Sequence, residues 1–491
     1  MNGQQAKAGE PLIFEYSYEG RRGTLLPKGW AGEAAFPEAA LRRAAPVLPE
    51  ASEVDVTRHY TRLSRLNLSV DTNFYPLGSC TMKYNPKANE RLASLEPFAA
   101  VHPYQSDDDV QGTLELLWEL QNYLAAIAGL DAVSLAPAAG AHGELTGMMV
   151  IAAYHRDRGD GRNVVLIPDS AHGTNPASAA TCGFVPEVIA SDEEGRIDRE
   201  ALRRRAGPDV AALMITNPNT LGIFESHIKE ITGIMHGAGA LVYMDGANMN
   251  AIMGIARPGD FGIDVMHYNP HKTFATPHGC GGPGAGPVAV TKELASFLPV
   301  PFVDKREGRF VTSAERAKSI GRVRSFTGNI AVLVRAYLYI RTMGPEGLAR
   351  AANTAVFNSD YLRARLSKIL PLAYPTNTRH EFVLSAERLA GRGVRVLDIA
   401  KRLLDYGFHP PTIYFPQNVH EAMMIEPTES ESLQTLDAFA DAIAAIVHEA
   451  RTTPEVVTSA PHTMPIGRLD EVKAVKQPRL VWRPKAARGA R

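Results

Sequence analysis

Leu241-Val242-Tyr243-Met244-Asp245-Gly246-Ala247-Asn248 and Val265-Met266-His267-Tyr268-Asn269-Pro270-His271-Lys272-Thr273-Phe274 decide the fold. Each stretch opens as a short apolar run, and each reaches a charged residue where the run stops. Runs without polar alternation read as strands buried on both faces, the habit of parallel sheets covered by helices. The same pattern extends outward. Helical apolar spacing covers 113–128, 144–155 and 227–236, and short strands are expected at 132–135, 163–167, 210–216, 263–268 and 287–291. This alternation predicts an α/β domain with a mostly parallel sheet, and ligands of such sheets bind at the carboxyl ends of strands.

The flanks read differently. Residues 1–111 mix Pro, Gly and charge with one helical stretch at 54–66, and are expected to form an arm with loops. Within them, Asp71-Thr72-Asn73-Phe74-Tyr75-Pro76-Leu77-Gly78-Ser79-Cys80-Thr81-Met82-Lys83-Tyr84-Asn85 is rich in turn formers and reads as an ordered loop, a candidate wall of a site. Residues 112–345 form the large domain, closing on a helix at 329–343. Residues 346–491 read as a smaller α+β domain, with helices at 355–368, 396–406 and 433–448, strands at 381–385 and 423–426, and a Pro-rich tail that ends basic.

At 491 residues, 45% apolar and 21% charged, the chain is a globular protein of more than one domain. A net charge of −1 with no basic block gives no basis for nucleic-acid or membrane-surface binding. No run approaches the ~18 apolar residues of a membrane span. Met1-Asn2-Gly3-Gln4-Gln5-Ala6-Lys7 has no apolar core of a signal peptide. Cys80, Cys182 and Cys280 are odd in number and far apart, matching neither a disulfide framework nor a zinc site. Reduced thiols in a cytoplasmic protein are expected.

A lysine in a loop is ordinarily a solvated charge, and an aspartate before glycine is ordinarily a turn former. Lys272 and Asp245, however, stand at the ends of successive strands. A lysine and a carboxylate so placed are the minimal pair for holding pyridoxal phosphate (PLP). The amine forms a Schiff base, and the carboxylate keeps the pyridine nitrogen protonated so that the ring accepts electrons. Other strand ends supply the rest. Leu135-Ala136-Pro137-Ala138-Ala139-Gly140-Ala141-His142-Gly143-Glu144 is a strand, a small-residue turn and a helix start, which makes Ala139, Gly140 and Ala141 candidate phosphate contacts. In Asp169-Ser170-Ala171-His172-Gly173-Thr174-Asn175, His172 is a candidate for stacking on the ring, with Thr174 beside it. Thr216, before Asn217-Pro218, offers its hydroxyl to the phenolic oxygen, and Ala247 and His271 lie in the two deciding turns. Gly279-Cys280-Gly281-Gly282-Pro283-Gly284 fits G-x-G-x-x-G, but a strand follows it where the dinucleotide motif needs a helix, so nicotinamide binding is set aside.

Taken together these segments resemble the glycine-cleavage P-protein, a PLP-dependent glycine decarboxylase, and most closely its second subunit where the enzyme is split in two. The resemblance covers nearly the whole chain. It rests on Pro76-Leu77-Gly78-Ser79-Cys80-Thr81-Met82-Lys83, Gly140-Ala141-His142-Gly143-Glu144, Ser170-Ala171-His172-Gly173-Thr174-Asn175-Pro176, Met244-Asp245-Gly246-Ala247-Asn248-Met249-Asn250, Asn269-Pro270-His271-Lys272-Thr273-Phe274 and Ser319-Ile320-Gly321-Arg322-Val323. Late in the chain, His380-Glu381-Phe382-Val383-Leu384-Ser385 and Met424-Ile425-Glu426-Pro427-Thr428-Glu429 add to it. Cys280, where the family usually has glycine, and Gln417-Asn418, usually apolar, depart from it without touching Lys272 or Asp245.

The resemblance implies fold type I of the PLP-dependent transferases, with an arm, a large domain and a small carboxyl-terminal domain. It implies decarboxylation of glycine and transfer of the aminomethyl group to the lipoyl disulfide of H-protein, an oxidoreductase reaction because the disulfide is reduced. It also implies a first subunit that lacks the lysine, two copies of each subunit, and a pocket completed by the other chain; Ser325-Phe326-Thr327-Gly328-Asn329 is the candidate segment facing it. His172, Lys272 and His271 are all open as the proton-shuttling base. The rivals are another fold-type I enzyme, such as an amino-acid decarboxylase or a cysteine desulfurase, and a non-catalytic assembly subunit.

Overall fold

The computed structural model describes residues 9–21, 23, 36–44, 46–279 and 284–481. It divides into two compact units, Met1–Ser69 with Ser459–Arg491, and Val70–Thr458. In the first, the helix Glu53–Ser64 is capped by Ser52, whose hydroxyl accepts the Asp55 N–H at 3.2 Å. Glu10 ties that helix down, accepting from Arg62 Nε at 2.7 Å and lying 2.9 Å from His59 Nδ1.

The second unit is built on a seven-stranded sheet of order β1-β7-β6-β5-β4-β2-β3. Its strands are β1 Ala132–Ser134, β2 Val164–Pro168, β3 Val185–Ile189, β4 Val210–Thr216, β5 Leu241–Gly246, β6 Val265–Tyr268 and β7 Val288–Val290. The run β6-β5-β4-β2-β3 is parallel, and β7 alone is reversed against both neighbours. Every residue of β4, β5 and β6 is buried, as the unbroken apolar runs require. Alternate side chains serve opposite faces. Val242 and Met244 join the core beneath the helices Gln111–Ala128 and Ile330–Leu366, while Leu241 and Tyr243 join the core beneath the helix Gly140–Arg158. That last helix lies unusually close. A Cβ at Gly147 would fall 2.5 Å from the Tyr243 ring, so only glycine lets the helix backbone rest on the sheet.

The stretch Ile330–Leu366 holds two helices, as the sequence predicts, which meet at the non-helical Gly344 (φ 60°); Pro345 opens the second, ten residues earlier than expected. It leads to a three-stranded antiparallel sheet, Phe382–Ser385, Ala422–Ile425 and Thr412–Ile413, with its own core beneath the helices Val396–Asp405 and Leu433–Thr452. The loop 71–85 belongs to this second unit and pairs with the small sheet, Leu77 bridging Ile425. A hairpin, Phe302–Arg306 with Arg309–Ser313, completes the unit. No helix among the described residues is long and apolar enough to cross a membrane.

Candidate active site

Register builds the site. Thr216 on β4 lies beside Asp245 on β5, and Asp245 lies beside His267 on β6, so three polar side chains form one row at the carboxyl edge of the sheet. The row faces the helix Gly140–Arg158, whose first turn reaches the same edge.

Asp245 is buried yet well partnered. Its Oδ1 accepts the Ala247 N–H at 2.9 Å, and its Oδ2 accepts from Asn175 Nδ2 at 3.2 Å. His267 Nε2 lies 3.5 Å from Oδ1. Burial alone pushes this carboxyl up. His267, Lys272 and the two hydrogen bonds outweigh it and hold Asp245 below the usual carboxylate range, so it stays ionised. Tyr243, whose phenol burial pushes well above its ordinary value, lies with its OH 2.5 Å from His267 Nδ1. His267 Nε2 donates to Asn269 Oδ1 at 2.8 Å, on the side of the ring that faces Asp245.

Lys272 follows β6 in the short helical turn Pro270–Thr273. Among the described residues no hydrogen bond or ion pair reaches its Nζ, although the turn itself is firmly held. Lys83 Nζ donates to the Thr273 carbonyl at 2.8 Å, and Asn85 Nδ2 donates to the Ala275 carbonyl at 2.9 Å. Lys83 is itself buried and paired with Glu429 at 2.8 Å.

The helix Gly140–Arg158 starts at Ala139, which is extended and contributes no side-chain cap. Among the described residues its first N–H groups have no acceptor, the standing arrangement for an anion. A Cβ at Gly140 would lie 2.0 Å from Asn269 Nδ2, so glycine is what lets this turn close on the lysine turn. In the first turn, Glu144 Oε2 accepts from Thr174 Oγ1 at 2.9 Å, and Thr174 Oγ1 is 2.9 Å from His172 Nδ1.

These groups surround a cavity of about 130 Å³ lined by Ser79, Gly140, Ala141, Glu144, His172, Thr174, Thr216, Thr220, Asp245, Ala247, His267, Asn269 and Lys272. A wider depression of about 720 Å³ lies elsewhere on the unit, around Met149, Arg156, Cys182 and Lys318, and contains none of these groups. Of the residues singled out in the sequence, Gly140, Ala141, His172, Thr174, Thr216, Asp245, Ala247 and Lys272 line the small cavity. Ala139 stands one residue before it as the helix N-cap. His271 lies outside the lining, its ring edge-on to His278 at 4.7 Å. Burial first, then His278, pulls the His271 pKa down to about 3. Ser79 lies in the loop 71–85 expected to wall a site, and Thr220 in the polar segment that follows Thr216; the sequence did not single out His267 or Asn269. A histidine inside the buried run Val265–Tyr268 was the available signal for the first. Residues 280–283, Cys280 and Pro283 among them, lie outside the described residues.

The polar chemistry fits PLP. Glu144 Oε1, Asn175 Oδ1 and Thr216 Oγ1 are buried without a hydrogen-bond partner among the described residues. Unsatisfied buried groups of this kind are costly, and they cluster at sites that receive a polar ligand. Cys80 and Cys182, the free cysteines among the described residues, have thiols pushed up by burial, Cys182 to about 11. Neither has the lowered pKa of an attacking thiolate.

Comparison with known proteins gives the same class. The fold matches a glycine decarboxylase (P-protein) of the glycine cleavage system solved in inhibitor-bound form, with TM-score 0.72, 22% identity, and coverage of 83% of this chain and 93% of that one. It also matches a cysteine desulfurase from Thermococcus onnurineus, with TM-score 0.61, 14% identity, and coverage of 77% and 95%. A mostly parallel sheet of this order followed by a small α+β unit is the fold type I architecture of PLP-dependent transferases. A family model described as the glycine cleavage system P-protein matches residues 33–403, and one described as glycine dehydrogenase, C-terminal domain, matches residues 351–463. The chain is 56% identical over 476 residues to the probable glycine dehydrogenase (decarboxylating) subunit 2 of Caldanaerobacter subterraneus, covering 96% of this chain and 98% of the relative. It is 54% identical to the protein of the same name from Bacillus velezensis, covering 98% of each. The chain belongs to the glycine cleavage system P-protein family.

Proposed function

We propose that this chain bears the lysine of a glycine-decarboxylating site, binds PLP there, and passes the remaining aminomethyl group to the lipoyl group of H-protein. The observation that carries the reading is the meeting of Asp245, Lys272 and the uncapped helix start at Gly140 on one cavity. The relatives' shared name, glycine dehydrogenase (decarboxylating) subunit 2, gives the substrate and points to a first subunit.

When bound, PLP supplies the sink for the electron pair that CO₂ leaves behind. Lys272, whose amine has no partner among the described residues, would hold the cofactor covalently. Asp245, kept ionised, would keep a proton on the ring nitrogen. The N–H groups of Gly140 and Ala141 would hold the phosphate, with Ala139 setting the turn. Thr216, its hydroxyl without a partner among the described residues, would serve the phenolic oxygen. His172, exposed at the mouth beside Thr174, would cover the ring, and Ala247 keeps Asp245 oriented through its N–H. Lys272 and His172 are the groups in the cavity that move protons. His271, neutral and turned toward His278, is held to a packing role. Across the whole reaction glycine is oxidised to CO₂ and an aminomethyl group, and the lipoyl disulfide is reduced as its sulfur takes that group. A first subunit completes the pocket, two of each chain assemble, and the enzyme works in the cytoplasm.

Borohydride reduction followed by peptide mapping tests the attachment. The reduced cofactor is expected on Lys272, and equal labelling of wild type and Lys272→Ala would show the site to be misassigned. Exchange of the glycine carboxyl with labelled bicarbonate, with first subunit and H-protein present, tests the substrate. Turnover of a larger amino acid but not glycine would overturn that assignment.

A further inference from the structure

One wall of the cavity comes from neither a sheet strand nor the helix start. Ser79 belongs to the turn Gly78–Thr81, and that turn is held in an unusual way. Ser79 (φ 63°) and Thr81 (φ 48°) both occupy the left-handed region, which side-chain-bearing residues rarely adopt unless the surroundings impose it. Both donate their backbone N–H to buried carboxylates. Ser79 N reaches Glu381 Oε2 at 2.6 Å, and Thr81 N reaches Glu426 Oε2 at 2.8 Å, with the Thr81 hydroxyl on Glu426 Oε1 at 2.5 Å. Glu381 Oε1 accepts from Asn248 Nδ2 at 3.1 Å, which joins this clamp to the segment after Asp245.

The two glutamates flank the last registered pair of the small sheet, Phe382 with Ile425, on neighbouring strands. Like charges in such positions oppose folding, and both side chains are fully buried. A hydrophobic pair would serve a plain core better. The surroundings are built around them nonetheless. A Cβ at Gly222 would fall 1.9 Å from the Glu381 carbonyl oxygen, and one at Gly78 would fall 2.2 Å from Met424 Cγ. The Glu426 N–H donates to the Pro76 carbonyl at 3.2 Å, and Thr412 Oγ1 donates to the Gly78 carbonyl at 2.8 Å.

We infer that Glu381 and Glu426 are positioning residues that fix the Ser79–Thr81 turn as a rigid wall of the Lys272 cavity, excluding amino acids larger than glycine. The inference rests on the reading of that cavity as the glycine site. A fixed wall costs glycine nothing, because its α-carbon carries no side chain, while any larger amino acid has to push the turn away from two carboxylates. Burial first, then Glu426, pushes the Glu381 carboxyl well up, and burial pushes Glu426 up to about 7. A carboxyl that holds a proton still accepts these N–H bonds through its other oxygen, so the clamp does not depend on both being charged.

The test uses the assembled enzyme with first subunit, H-protein and PLP. Bicarbonate exchange is measured with glycine and with L-alanine, and amide hydrogen exchange is followed over residues 76–85. Glu381→Ala is expected to raise the alanine-to-glycine ratio by about tenfold or more, the scale on which a pocket discriminates one methyl group. Its Ser79 and Thr81 amides should exchange faster, while Glu381→Gln, which keeps an acceptor, should stay near wild type in both measurements. Where Glu381→Ala does not fold, Thr81→Val removes one bond to Glu426 and should shift the same two measurements in the same direction. An unchanged ratio with unchanged amide protection would overturn the inference and leave the glycine site intact. A wild type that does not exchange the glycine carboxyl at all would overturn the site reading, and the inference with it.

Discussion

Replacing Lys83 with methionine should loosen the turn that carries Lys272 without touching the cavity. The Lys83 side chain is 2% exposed, and its Nζ serves four partners: Glu429 Oε1, the Thr273 carbonyl and Asn250 Oδ1, each at 2.8 Å, and Tyr339 OH at 3.2 Å. Burial works against its charge, but Glu429 and Tyr339 outweigh it and raise its pKa, so the ammonium persists. Methionine fills similar space and leaves the half-buried Glu429 without its cation. Breaking a buried pair from one side costs about 3–5 kcal/mol, chiefly through the stranded charge. Over the unit Val70–Thr458 the unfolding entropy is about 0.8 kcal/mol/K, so the melting temperature should fall by about 4–6 °C. Adding Glu429→Gln removes the stranded charge, and the double variant should recover at least half of the loss. Thermal unfolding of wild type, Lys83→Met, Glu429→Gln and the double variant makes the cycle. A single variant melting within about 1 °C of wild type would refute the reasoning, as would a double variant less stable than Lys83→Met.

Asp245→Asn keeps the shape of the site and removes its charge, so glycine exchange should drop by about 10² or more, while cofactor binding, read by visible absorbance, persists. Gly140→Ala brings a Cβ to within 2.0 Å of Asn269 Nδ2, and should weaken PLP binding about tenfold or more in a fluorescence titration, with a small change in melting temperature. His278 gives a pH signature. Burial first, then Lys272, pulls its pKa from 6.5 down to about 4. Between those values the unfolded imidazole binds the proton and the folded one does not, so the stability it permits is present above pH 6.5 and lost as pH falls toward 4. In urea unfolding, the stability of wild type relative to His278→Gln should decline by about 1.4 kcal/mol per pH unit across that window, and a flat difference would count against a buried neutral ring.

What could be read in the sequence followed burial. The unbroken apolar runs of β4, β5 and β6 announced central strands, and their terminal residues announced where a ligand sits. Edge elements lacked that signal. Val185-Pro186-Glu187-Val188-Ile189 is half-exposed and carries a proline and a glutamate, so β3 has no apolar run to recognise. The hairpin 302–313 is interrupted by Lys305-Arg306-Glu307, all exposed. Gly344-Pro345 marked a break that the structure keeps: Gly344 leaves helical geometry, and Pro345 stands at the start of the second helix, where it needs no N–H. Within the site, residues at strand ends were accessible to reading in one dimension. His267 showed in sequence only as a histidine inside a buried run; its role depends on lying beside Asp245 across two strands. Glu381 and Glu426 stood in segments marked by the family resemblance, but only the pairing of their strands brings the two carboxylates to one turn.

The reversed strand β7 carries a consequence for how this site varies. Had it been parallel, the chain after Lys272 would have left the site and crossed the sheet before returning. Because it is antiparallel, the chain re-enters the sheet from the same edge, and Gly286 N bonds the Pro137 carbonyl at 3.0 Å beside the helix start. The described ends of that connection, 274–279 and 284–287, and the turn 135–139 therefore meet at one edge of the sheet, the edge at which β5 and β6 end. Closure entropy rises by only about 0.6 kcal/mol for each doubling of a connection, so a change of length at that edge leaves the strand pairing beneath it in place.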